Sequence, residues 1–159
     1  MLYALSDWLY GTSLSQTIQS TPWIIPLVQT VHILAIAMLT GSALLLNLRL
    51  AGVLAVRESH AAVYNRYAPW LKWAVAVLAA SGLLLIIGEP ERVLFNWAFW
   101  TKMALVVLGL VLLFIAGRSI RQAGDSEPQP AFLRPLGLVA ILVWIFVIMC
   151  GRWIAYAVG

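Results

Sequence analysis

The sequence predicts an all-α integral membrane protein, a four-helix bundle preceded by an N-terminal helix lying at the membrane interface. Composition is the first reason. Of 159 residues, 63% are apolar and 10% charged, and the mean hydropathy is +0.94, so there is too little polar surface to cover a water-soluble globule of this size. Patterning is the second: four apolar stretches, residues 23–46, 67–88, 95–117 and 132–156, each reach the roughly 20 residues that a hydrocarbon core of about 30 Å requires. The third is the solvent itself. An open strand in lipid leaves backbone N–H and C=O groups unpaired, and no alternating pattern marks a barrel, so the spans must be helices. Residues 1–159 form a single transmembrane domain with no internal repeat.

Residues 1–21 lack the basic start and long apolar run of a signal peptide and are expected to stay in the mature chain. Leu2, Leu5 and Leu9 recur at helical spacing beside Trp8, while Ser6, Asp7, Ser13, Ser15 and Gln16 are polar, the pattern of a segment on the membrane surface. Ser20-Thr21-Pro22 reads as the start of span one, with Thr21 accepting from first-turn amides and Pro22 in the first helical position. Ala37-x-x-x-Gly41 and Ser81-Gly82 place small residues where helices can approach closely, in the bundle or between copies of the chain.

The net charge is +4, but the ten Lys and Arg residues are scattered between apolar runs and form no single basic face, which argues against a nucleic-acid partner. They report orientation instead. The first connection is expected to carry Arg49, Arg57, Arg66 and Lys72, and the third, residues 122–130 with its flanks, Arg118, Arg121 and Arg134. The second, Glu89-Pro90-Glu91-Arg92, is short and acidic. Connections one and three are therefore expected in the cytoplasm, and both termini in the periplasm of a bacterial inner membrane. A single cysteine, Cys150, excludes an internal disulfide, a cysteine zinc site and an iron–sulfur cluster.

Ionisable groups within spans are costly and hence candidates for function. Three stand out: His32, Lys102 and Arg152. At about 1.5 Å per residue, His32 lies roughly 13 Å along span one and Lys102 roughly 10 Å along span three from the same side, with Arg152 near the outward end of span four. Gln29, one turn from His32, and Thr101 can join them, and Trp97, Trp100, Trp153 and Tyr156 form an aromatic belt at that level. A neutral His32 imidazole suits axial ligation of a haem iron or binding of copper, or else a plain hydrogen bond to a neighbouring helix. Lys102 suits a haem propionate, a quinone oxygen or another anion, or else snorkels to the headgroups. Arg152 suits a propionate through its planar fork, or the interface as an anchor. His60 is expected in the first connection, about a bilayer thickness from His32, which disfavours a haem held between the two. Met38, Met103 and Met149 read as packing residues.

Trp23-Ile-Ile-Pro26-Leu-Val-Gln29-Thr-Val-His32, Asn47-Leu-Arg49-Leu-Ala-Gly52, Asn96-Trp-Ala-Phe99-Trp-Thr-Lys102 and Gly151-Arg152-Trp-Ile-Ala-Tyr156 together resemble a family of small four-helix bacterial membrane proteins of unknown function. More distantly, a first-span His paired with a third-span Lys is similar to the copper-resistance protein CopD and to HemJ-type protoporphyrinogen oxidase, which carries haem b and in which such a pair is functional. The resemblance implies a role for His32 and Lys102. Glu and Asp are usual in the family where Gln29 and Asn47 stand here, so proton-coupled chemistry is disfavoured, while Gln29 can still orient His32. Three readings follow. One is a haem b protein exchanging electrons with a quinone or periplasmic partner, with His32, Lys102, Arg152, Gln29 and Trp100 around the cofactor. Another is a copper-handling protein. The third is a cofactor-free accessory subunit of a larger membrane complex or homo-oligomer.

Overall fold

The computed structural model describes residues 2–123 and 130–154. Among these, all regular structure is helical: α1 (Leu2–Tyr10), α2 (Ser13–Ser20), α3 (Ile24–Leu50), α4 (His60–Gly88), α5 (Pro90–Leu94), α6 (Trp97–Ala123) and α7 (Leu133–Trp153). The four long helices run up, down, up and down. Each is long and apolar enough to cross a membrane, and of their most apolar windows only 17% to 33% is buried inside the protein. So large an apolar remainder requires lipid, not water, as its solvent. The chain is a multi-pass membrane protein built as a four-helix bundle.

Neighbours in the bundle are α3 with α4, α3 with α7, and α6 with α7, and a thinner seam between α4 and α6 closes the ring. Leu39, Ala43 and Leu46 of α3 meet Val63, Leu71 and Ala74 of α4, Leu113 of α6 and Trp144 and Val147 of α7 in one core. Leu50, Ala116, Ile120 and Leu133 form a second cluster where α3, α6 and α7 end or begin. Pro26 and Pro135 lie in the first turns of α3 and α7, where no helical partner for their missing N–H is needed.

Helix ends depart from the apolar boundaries. Arg49 sits in the last turn of α3, Arg66 and Lys72 lie within α4, Arg118 and Arg121 within α6, and Arg134 in the first turn of α7. The basic residues expected in connections are thus mostly helical, because a helix can continue past the hydrocarbon once its side chains reach water. The second connection contains α5, opened by Pro90 and carrying an Arg92 to Glu89 ion pair. Helix α3 stops in a Schellman turn: Gly52, at φ 75°, donates to the Arg49 carbonyl while Val53 donates to that of Leu48, a left-handed step that glycine takes without penalty.

Expectations fail at the start of α3, where Pro22 precedes the cap instead of holding the first helical position, and on its outer face. Thr21 does not cap α3. It ends α2, and only its carbonyl accepts from Ile24, while Trp23 takes the cap position without a side-chain bond. Gly41 supports no packing within the bundle, since a Cβ there would meet nothing within 4 Å. The N-terminal segment is two helices. Ser15 of α2 donates to the Ile87 carbonyl of α4 (2.7 Å), and Tyr3 of α1 stacks on Phe95 (4.4 Å between ring centres). Leu2, Leu5 and Trp8 face outward while Ser6 is buried, the orientation of a helix whose apolar side is left for lipid.

Candidate functional site

The bundle has two unlike ends. One carries the short helices α1, α2 and α5. The other carries the turns after α3 and before α7 and most of the arginines. His32, nine residues into α3, and Lys102, six into α6, lie on the short-helix side, about 12 Å and about 8 Å from the starts of their helices.

His32 is half-buried and faces α4. Its Nδ1 lies 2.8 Å from the Ser81 hydroxyl, and that hydroxyl lies 2.6 Å from the Val77 carbonyl oxygen. A carbonyl only accepts, so the one hydroxyl proton of Ser81 goes to Val77 and its oxygen receives the proton on Nδ1. The relay fixes the imidazole as the Nδ1–H tautomer and leaves Nε2 with a bare lone pair, which makes no hydrogen bond among the described residues. Ser81 is 4% exposed, so the relay is sheltered. Beside it, a Cβ on Gly82 would stand 3.6 Å from His32 Cε1.

Lys102 is half-buried and leans on α7, where Gly151 leaves its Nζ 3.5 Å from the nearest position a Cβ would take. Cys150 of α7 lies nearby, and Lys102 is within electrostatic reach of His32. Helices α3 and α6 are diagonal in the bundle, so imidazole and ammonium address the same interior from opposite walls.

The remaining predicted residues are placed differently. Gln29 is exposed, and Ser81 of another helix holds the imidazole in its stead: three residues of helix place Gln29 about 60° round the axis from His32, past the edge of the buried stripe. Trp100 is not directed at the site: its indole N–H donates to the Leu94 carbonyl (2.9 Å) and its ring is exposed. Arg152 is exposed at the end of α7. Trp23, Trp97 and Trp153 are exposed at the same end, and Tyr156 lies outside the described residues. Met103 and Met149 are exposed and Met38 packs against the core. Among the described residues no group of three or more His, Cys, Asp or Glu side chains could hold a metal ion.

His60 is not in a loop. It opens α4 at the far end, half-buried, in the wall of a cavity shared with Arg49 and Arg134. That cavity was not legible in the sequence, where those residues read as orientation signals. Its only trace is that Arg49, Gly52, His60 and Arg134 flank the two connections of one face.

Residues 13–157 match DUF6644, a family of unknown function, and the chain belongs to that family. Comparison with curated proteins and with solved structures gave no match.

Proposed function

We propose that this member of DUF6644 binds haem b in the half of the bundle nearest the short helices and exchanges electrons with a quinone or a periplasmic redox partner. The observation that carries the proposal is the relay from His32 through Ser81 to Val77. A histidine that ligates iron presents one bare nitrogen and donates through the other to a fixed acceptor, and His32 does both. Lys102 and Arg152 would balance propionate charge. One-electron transfer is the chemistry haem supplies when bound. The distant likeness of the His32 and Lys102 pairing to HemJ-type protoporphyrinogen oxidase belongs to the same proposal. So does an inner-membrane location with the basic end in the cytoplasm and both termini in the periplasm.

Copper is the alternative guest at His32 Nε2, with fewer supporting ligands, since Met103 and Met149 face outward. A cofactor-free accessory subunit is the competing reading. It is favoured by the outward edge of α3, where Ala37 and Gly41 are exposed and nothing stands within 4 Å of a Cβ on Gly41, room for a second helix to approach.

The test is an absorption spectrum of the purified protein, before and after reconstitution with haem, beside His32→Ala. A Soret band in the wild type that is lost in the variant is the expected result. A wild type that takes up no haem, or a band that His32→Ala leaves unchanged, overturns the proposal, and metal analysis of the same samples decides the copper alternative.

A further inference from the structure

At the opposite end of the bundle lies an open cavity of about 450 Å³ walled by Arg49 and Leu50 at the end of α3, Gly52, His60 at the start of α4, and Leu133 and Arg134 at the start of α7. Among the described residues its charged and titratable walls are all basic. Arg49 is 9% exposed, and its Nε and Nη2 donate to the backbone carbonyl of Glu58 at 2.9 and 2.6 Å. Arg134 donates from Nε to the Ala51 carbonyl at 3.1 Å. Among the described residues neither guanidinium has a carboxylate partner, and the Glu58 carboxylate that could serve is paired with Arg66.

Among the described residues the buried Arg49 guanidinium is bonded only to carbonyls, an arrangement that costs free energy unless an anion completes it, whereas Arg134 is exposed. The helix ends reinforce this. Helices α4 and α7, of 29 and 21 residues, begin at the cavity wall and bring the positive ends of their dipoles to it. The end of α3 that faces them is capped, its Asn47, Leu48 and Arg49 carbonyls accepting from Ala51, Val53 and Gly52.

We propose that this cavity binds a phosphate group, with Arg134 and the remaining Nη1 of Arg49 as its guanidinium donors and His60 at its edge. Two guanidiniums presenting several N–H groups match phosphate oxygens better than a lone ammonium would. The volume suits a group of headgroup size. Apolar Leu50, Pro130 and Leu133 in the same wall offer contact to glycerol or the first acyl carbons. The phosphate comes either from an anionic lipid or from a soluble phosphate compound. The proposal is independent of the haem reading, since the two sites lie at opposite ends of the bundle.

The test uses the full chain, delipidated in detergent, with native mass spectrometry and thermal melting as readouts. Arg49 is buried and its loss can unfold the end, so the variant is Arg134→Gln, with Arg118→Gln as control. Arg118 is exposed, as Arg134 is, and lies on α6 at the same end but outside the cavity wall. Dioleoyl phosphatidylglycerol should be retained over phosphatidylcholine by the wild type, and Arg134→Gln should weaken that retention roughly tenfold, the effect of losing a charge-assisted hydrogen bond. Arg118→Gln should stay within about twofold, as expected of a screened surface charge. A rise in melting temperature with inorganic phosphate alone, absent in Arg134→Gln, identifies a soluble phosphate compound as the source. The same rise with phosphatidylglycerol only identifies the lipid. Equal losses in the two variants, no preference over phosphatidylcholine together with no effect of inorganic phosphate, or an Arg134→Gln protein that behaves as wild type overturns the proposal.

Discussion

Near the basic end, a Cβ on Gly137 would come within 2.8 Å of the Asn47 carbonyl oxygen and 2.9 Å of Leu50 Cβ, and one on Gly117 within 2.5 Å of the Tyr64 hydroxyl. Toward the short-helix end, Cβ atoms on Gly82 and Gly151 would meet His32 Cε1 and Lys102 Nζ at 3.6 and 3.5 Å, ordinary contact distances. Gly88 is closed by Ile18 of α2 at 2.9 Å, so tight packing there belongs to the docked short helix and not to the interior around His32. Glycine thus stands in two settings. At the basic end it lets helices touch, and close approach of backbones is what holds helices together where lipid offers no hydrophobic drive. Beside the imidazole and the ammonium an added methyl group would sit at ordinary contact distance, so close approach does not demand glycine there. Ionisable groups within a span are candidates for chemistry, and the glycines beside these two are not forced by close packing.

The sharpest test of that contrast compares single added methyl groups. Gly137→Ala pushes against backbone that cannot swing aside, and it should lower stability by about 2 kcal/mol, in the range for overpacking a close-fitted interior. Gly41→Ala, with nothing in reach, should leave stability unchanged or raise it by up to about 1 kcal/mol through helix propensity. Thermal melts of the purified proteins in one detergent read both. Two indistinguishable melting temperatures would mean that the α3–α7 contact is not close-fitted, and the contrast between the ends would collapse.

A smaller effect is expected at the relay. Ser81→Ala removes the acceptor for the Nδ1 proton of His32 and should cost about 1.5 kcal/mol, the penalty of a buried donor left alone. The variant has a second consequence that packing cannot produce: with no acceptor at Nδ1 the ring can adopt the other tautomer, so reconstitution with haem should weaken alongside the loss of stability. Ser81→Thr, which keeps a hydroxyl on the same carbon, should restore uptake. Equal uptake in all three proteins would assign Ser81 to helix packing alone.

The contrast also explains what the sequence could reveal. Four long apolar runs show four helices because lipid forces the backbone to satisfy itself within each span. Their ends were less legible: Arg49, Arg118 and Arg121 extend α3 and α6 into turns that look like loops when only hydropathy is counted. His32 and Lys102 stood out because a polar group in an apolar run is conspicuous. Ser81 did not, since a serine in a membrane helix usually satisfies itself on its own preceding turn. Only coordinates show its second bond, to a residue 49 positions away. Gln29 misled for a related reason, because nearness in sequence is nearness in space only at the right angle around the helix. The cavity at the basic end was hidden by the very signal that made its arginines visible. Arg49 and Arg134 fit the charge rule for membrane orientation, and that rule absorbs basic residues without asking where their counter-charges are.

The smallest expected effect separates the two kinds of contact that Glu58 makes at the basic end. Its carboxylate pairs with Arg66, at side-chain exposures of 39% and 55%, whereas its backbone carbonyl accepts both bonds from the buried Arg49. Glu58→Gln removes the first and leaves the second. An exposed ion pair contributes little because water and salt screen it, so the variant should change stability by less than about 0.5 kcal/mol. It also deletes the one carboxylate among the described residues at that end, so phosphatidylglycerol retention should stay equal to the wild type or rise. A stability loss well above that bound would show that the carboxylate, and not the carbonyl, is what fixes Arg49. The guanidinium would then be compensated from within the chain, with no charge left over for a phosphate to meet.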